Sequence, residues 1–237
     1  MSEAGPVPDS FITVRSTLPR IPQTLSPESR PWTTTERLVL RPLAASDLEA
    51  LHELRLQPEV MIWTSAGKPD SDLAQTKAKL DEILTAQENQ QSFNFAICFK
   101  EDPTSKLIGI GGVWRMNSSV GWPELGYMFR KEAWGKGIAT EFLKAWLGLW
   151  NALPREEVEV KCDERTLRGQ NGVHENRDEV VEERLIALTT GDNGRSKKVL
   201  EKMGFEHFLT WKDKEVTAAG EEVWIDLPTY RYFPGRN

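Results

Sequence analysis

The chain has 237 residues, 39% of them hydrophobic and 9% aromatic, enough apolar material for one well-filled core and too little for two. A formal net charge of −6 excludes a broad attraction to phosphate backbones or anionic membranes, so neither nucleic acid nor a membrane is expected as a partner. With only Cys98 and Cys162, no leader pattern and no apolar run of the ~20 residues that a span needs, a reducing, cytoplasmic setting is expected.

Residues 1–32 contain Pro6, Pro8, Pro19, Pro22, Pro27 and Pro31, which forbid a regular helix or a central strand and predict a surface tail. From Thr35 the pattern changes. Leu38 and Leu40 alternate with Arg37, Val39 and Arg41, predicting a strand that Pro42 ends. Ser46 or Asp47 then caps a helix with Leu48, Leu51 and Leu54 at helical spacing, and a second helix is predicted over 72–86 through Leu73, Leu80, Ile83 and Leu84.

Two runs dense in branched and aromatic residues, 93–99 and 107–114, flank the turn-forming Glu101, Asp102 and Pro103, and predict a hairpin. A third run, 124–129, leads into Gly135 and Gly137, after which Phe142, Ala145, Trp146 and Leu149 define one helix face. Residues 155–184 are dominated by Glu, Asp and Arg and predict a solvated, unstructured insertion. Strand material returns at 185–190, a helix at 194–202 stopped by Met203, Gly204 and Phe205, and further strand material at 223–227 and 230–233. The expected organisation is a tail over 1–32 and a single α+β domain over 33–237, interrupted by the charged insertion.

The stretch Trp134, Gly135, Lys136, Gly137, Ile138, Ala139, Thr140 sets two glycines between a strand and a helix. Glycines there let an anion approach the backbone amides, and the helix start adds unpaired N–H donors and partial positive charge. A pyrophosphate fits such a turn. A dinucleotide fingerprint needs a third glycine where Thr140 stands, and a nucleotide P-loop needs Ser or Thr where Gly137 follows Lys136. The turn alone is also compatible with a purely structural strand-to-helix connection.

Around that turn, the run Glu124, Leu125, Gly126, Tyr127, Met128, Phe129, then Glu141, and later Asn193, Ser196, Val199, Leu200, Glu201, Lys202, Gly204 and Phe205 resembles the GNAT N-acetyltransferase superfamily. The nearest branch is similar to the ribosomal-protein N-terminal acetyltransferases of the RimJ and RimL type and to fungal proteins like them. The resemblance runs from about Thr35 to Tyr230, omitting the charged segment. It implies a mixed, mostly antiparallel sheet flanked by helices, with strands splayed beside the glycine turn, and acetyl-CoA as co-substrate.

Carried over by position, the backbone of Tyr127, Met128 and Phe129 pairs with the pantetheine arm. The amides from Trp134 through Gly135, Lys136, Gly137, Ile138 and Ala139 to Thr140 hold the pyrophosphate. Asn193 sits where the family contacts the cofactor or acceptor near the reaction centre, and Ser196 where the RimL-like branch places a hydroxyl near the CoA sulfur, although Asn193 also reads as a helix N-cap with Ser196 in the first turn. Two residues depart from the family pattern. Glu132, three before the first glycine, puts negative charge near a pyrophosphate unless it points outward, and Leu200 stands where many relatives carry a tyrosine that protonates the thiolate. A catalytically weak acyl-CoA-binding module is the alternative these departures leave open.

Attack of an amine on a thioester gains most from holding the reactants together. Among the acidic residues Glu124 is the leading general base, Asp226 the second and Glu222 the third. An α-amine, with a pKa near 8, needs less help than a Lys side chain near 10.4. The acceptor is therefore expected to be an amine, either a peptide N-terminus or a small molecule, and Trp63 borders its pocket in the family. His52, His174 and His207 show no ligand spacing, so no metal is expected. The assembly is expected to be a monomer or homodimer.

Overall fold

The computed structural model describes residues 3–4, 11–22, 33–102, 104–168, 179–216 and 222–236. In chain order its elements are β1 (Glu3–Ala4), β2 (Phe11–Pro19), β3 (Thr33–Thr34), β4 (Leu38–Pro42), α1 (Leu48–Arg55), α2 (Pro58–Met61), α3 (Leu73–Glu88), β5 (Phe93–Phe99), β6 (Leu107–Arg115) and β7 (Glu124–Phe129). There follow α4 (Ile138–Ala152), β8 (Arg155–Asp163), β9 (Leu185–Leu188), α5 (Gly194–Lys202), β10 (Glu206–Val216) and β11 (Glu222–Tyr232). The chain divides into two units. One comprises Ile21–Arg115 and Gly126–Leu149, the other Met1–Arg20, Met116–Leu125 and Trp150–Asn237.

In the first unit, the alternation that predicts β4 sets it antiparallel to β5, with Leu38 opposite Phe99 and Leu40 opposite Ile97. The expected hairpin pairs β5 with β6, Phe93 opposite Val113. One sheet face carries Ala96 and Ile110 against Leu51 and Leu54 of α1 and Leu80 and Ile83 of α3. On α4, Trp146 packs on Phe93 and Phe142 packs on Phe129. The close approach of α4 requires a glycine at Gly111, where a Cβ would stand 2.7 Å from the Phe142 ring. The aspartates at the starts of α1 and α3 differ in role. Asp72 caps α3 by accepting the Gln75 amide at 2.8 Å, whereas Asp47 turns back to accept the Arg41 guanidinium and the Ala44 amide.

In the second unit β10 and β11 are antiparallel, β11 and β9 are antiparallel, and β1 adds in parallel to β10. β9 lies parallel to the start of β7, with Glu124 opposite Ile186 and Leu125 opposite Ala187. Taken together the pairings make a mixed α+β fold whose sheet is mostly antiparallel and flanked by helices.

Two segments depart from expectation. Within the proline-rich tail, residues 11–19 form β2, with Pro19 only at its end, and it pairs antiparallel with β8, Val14 opposite Val160. The segment expected to be a solvated insertion supplies β8 itself: Val158, Val160 and Cys162 alternate with Glu157, Glu159 and Lys161, so the charged residues occupy one face and the apolar ones the other. Val160, Cys162, Leu167 and Val181 join Val14, Val120, Trp122, Ile186 and Trp211 in one buried cluster. Arg184 is fully buried, its guanidinium 5.2 Å from the Trp122 ring and 5.3 Å from that of Phe233, and it donates to the Thr166 carbonyl at 2.8 Å. Pro6, Pro8, Pro27, Pro31, Pro103, His174 and the Gly169–Gly172 stretch lie outside the described residues.

Candidate active site

The glycine turn is built by residues of the first unit. After β7, a 3-10 turn over Lys131–Ala133 is fastened by Arg130, whose guanidinium donates to the Leu107 and Ala50 carbonyls and to Glu53. The Trp134 indole N–H returns to the Phe129 carbonyl at 2.9 Å. Gly135 and Gly137 then adopt φ of 71° and 77°, a region that costs L side chains steric strain and glycine little. A Cβ on Gly135 would meet nothing within 4 Å, and one on Gly137 only the end of Arg37 at 3.6 Å. The space over the turn is open.

Among the described residues, no hydrogen bond occupies the amides of residues 135 to 140. Those of Ile138, Ala139 and Thr140 belong to the first turn of α4, where a helix has no internal acceptor to offer. This arrangement fits an anionic diphosphate: N–H groups without an acceptor in the helix, two glycines that add no side chain, and the positive end of a 15-residue helix. Glu132 lies in the 3-10 turn just before the glycines. It is exposed, and the Gln57 side-chain amide donates to both its carboxylate oxygens at 3.1 and 3.2 Å. Its own backbone and Gln57 hold its pKa below the usual carboxylate range.

Glu141, one turn into α4, is held by residues that spacing in the sequence could not bring together. It accepts from the Thr35 hydroxyl and from the amide, Nε and Nη2 of Arg37. Burial pushes the Glu141 carboxyl up, and the hydrogen bonds from Thr35 and Arg37 overcome this and hold it below the usual range.

The remaining expected residues fall as follows. On β7, Phe129 is buried against Phe142, while Met128 packs against the α1–α3 cluster and Tyr127 is half-buried, its ring 6.3 Å from that of Phe142. Trp63 follows α2, 40% exposed beside the exposed Ile62. In the second unit, Glu124 is half-buried at the start of β7. Asn193 and Ser196 are brought together: Asn193 Oδ1 accepts the Ser196 amide at 3.1 Å. Leu200 is 1% exposed on the buried side of α5. Asp226 is exposed on β11 opposite Lys212, and its carbonyl accepts the Gly191 amide at 2.8 Å. Glu222 opens β11 opposite Val216.

His52 takes part in a structural chain, its Nδ1 2.7 Å from the Thr76 hydroxyl, which donates to Asp70. Among the described residues no group of three or more His, Cys, Asp or Glu side chains could hold a metal ion, and no helix is long and apolar enough to cross a membrane.

Comparison with known proteins bears on this geometry. The family model described as acetyltransferase (GNAT) domain matches residues 37–206. A Bacillus licheniformis protein named N-acetyltransferase p20 is 28% identical over 130 residues, 54% of this chain and 71% of its own length. An acetyltransferase structure from Agrobacterium tumefaciens superposes with a TM-score of 0.55 at 23% identity, covering 86% of this chain and 95% of that one. RimL, a ribosomal α-N-protein acetyltransferase solved in complex with coenzyme A, superposes with a TM-score of 0.58 at 15% identity over 85% of this chain and 96% of its own.

Proposed function

The chain belongs to the acetyltransferase (GNAT) domain family, and on that premise we propose that it transfers the acetyl group of acetyl-CoA to a primary amine by direct attack in a ternary complex. The observation that carries this reading is the open glycine turn, in which the amides of 135–140 face no acceptor. Those amides hold the pyrophosphate. The main chain of Tyr127, Met128 and Phe129 receives the pantetheine arm.

Catalysis then needs little beyond positioning, which in model reactions is worth roughly 7 to 11 kcal/mol. Glu124 takes the proton from the attacking amine, directly or through water, with Asp226 as the second choice. Ser196, at the start of α5, donates to the departing sulfur, a role that the buried Leu200 has no group to fill. Asn193 orders that helix start.

The acceptor in this reading is a protein or peptide N-terminal α-amine, as in the RimJ- and RimL-like branch, with Trp63 lining its approach. Two observations support it. The α-amine is about a tenth deprotonated near pH 7 while a Lys side chain is almost wholly protonated, and RimL bears the name of an α-N-protein acetyltransferase.

Release of free CoA thiol, measured with acetyl-CoA and a panel of peptides with free N-termini against lysine, polyamines and aminoglycosides, tests the acceptor. The expected result is release with a subset of the peptides. Release with the small amines alone overturns the N-terminal assignment.

A further inference from the structure

A carboxylate in the first turn of a helix that receives a diphosphate sets like charges against each other, and Glu141 stands there on α4. The chain answers with one residue from the start of β4. Arg37 Nε and Nη2 donate to Glu141 Oε2 at 2.7 and 2.6 Å, and its main-chain N–H donates to Oε1 at 2.9 Å. The third arm of the guanidinium, Nη1, donates to the carbonyl of Lys136 at 2.9 Å. In a planar trans peptide the C=O and the next N–H point to opposite sides. Holding the Lys136 carbonyl therefore aims the Gly137 N–H away from Arg37.

We infer that Arg37 is the positioning residue of the phosphate turn, neutralising Glu141 and fixing the Lys136–Gly137 peptide so that its N–H faces the diphosphate. This rests on the acetyl-CoA reading above and adds a residue to it. Three of the five N–H groups of its guanidinium are engaged within the protein, which ties Arg37 to the turn. Lysine cannot replace it, since a single ammonium cannot bridge Glu141 and the Lys136 carbonyl with the planar fork.

The test compares wild type, Arg37→Ala and Arg37→Lys with two donors, acetyl-CoA and S-acetyl-pantetheine, which lacks the diphosphate. Arg37→Ala is expected to raise KM for acetyl-CoA about tenfold, the loss typical of one charge-assisted contact, with kcat close to wild type. Its kcat/KM for S-acetyl-pantetheine stays unchanged. Arg37→Lys falls between wild type and Arg37→Ala, and serves as the readout if the alanine variant does not fold. Equal loss with both donors, or an unchanged KM for acetyl-CoA, overturns the inference. A wild-type protein that binds no acetyl-CoA overturns the functional reading instead.

Discussion

Asn193 Oδ1 accepts the main-chain amide of Ser196 at 3.1 Å, which makes Asn193 the N-cap of α5. The cap and the proposed catalytic position are thus coupled through one hydrogen bond. Asn193→Ala should cost about 1 kcal/mol of stability by removing the cap acceptor, and Asn193→Asp should restore it. Urea unfolding of both variants checks this, and an alanine variant as stable as wild type contradicts the capping role.

Glu124 and Ser196 are separated by the pH at which each acts. Glu124→Gln should lower turnover by roughly 10² to 10⁴, most near neutral pH where the acceptor amine is protonated, with part of the loss recovered as pH rises. Ser196→Ala should lower turnover at every pH, since a hydrogen bond to the leaving sulfur strengthens in the transition state whatever the state of the free amine. Steady-state rates across pH distinguish the two shapes. Wild-type rates for Glu124→Gln would leave Asp226 as the base to test.

The glycine turn was legible because its chemistry is local: positive φ at residues 135 and 137 asks for glycine and little else. Strands β4 to β7 were legible from alternation and from branched and aromatic residues. The β2–β8 pair was not, because charge dominates the composition of 155–163 and masks the alternation of Val158, Val160 and Cys162. Its partner sits in a proline-rich stretch more than 130 residues away. Arg184, Arg231 and Glu183 carry charge and so read as solvated, yet the fold buries them, with Arg184 and Arg231 both stacked on Phe233. Arg37 escaped notice because its partners Glu141 and Lys136 are about a hundred residues distant.

Leu167 tests whether the charged segment is part of the fold. It is fully buried in the cluster around Trp122, so Leu167→Ala should destabilise the protein by about 2–5 kcal/mol. Thermal unfolding reads the loss. A change below about 0.5 kcal/mol, the usual scatter of surface substitutions, would return the segment to the status of a solvated insertion.

Asp70 makes stability depend on acid. Burial pushes its carboxyl up, but hydrogen bonds from Arg55, at 2.6 and 2.7 Å, and from Thr76 outweigh this and hold its pKa below the usual carboxylate range. A carboxyl with a depressed folded pKa contributes stability above its unfolded pKa, near 3.9, and loses it as pH falls through the folded value. Asp70→Asn should therefore be less stable than wild type at pH 7 by about 3–5 kcal/mol, because Arg55 is left buried without its counter-charge. The gap should narrow below pH 4. Urea midpoints measured between pH 3 and 7 follow it, and a constant gap across that range contradicts the linkage.

Calorimetric titration of acetyl-CoA into wild type and Gly137→Val tests the cofactor site most directly. Valine at φ 77° both strains the turn and places methyl groups over its amides. Saturable binding to wild type is expected, with an accompanying rise in melting temperature that NAD and ATP do not produce. Binding should be at least about tenfold weaker in a Gly137→Val variant whose circular dichroism is unchanged. No binding to wild type, or an unchanged Kd in the folded variant, contradicts an acetyl-CoA site at this turn.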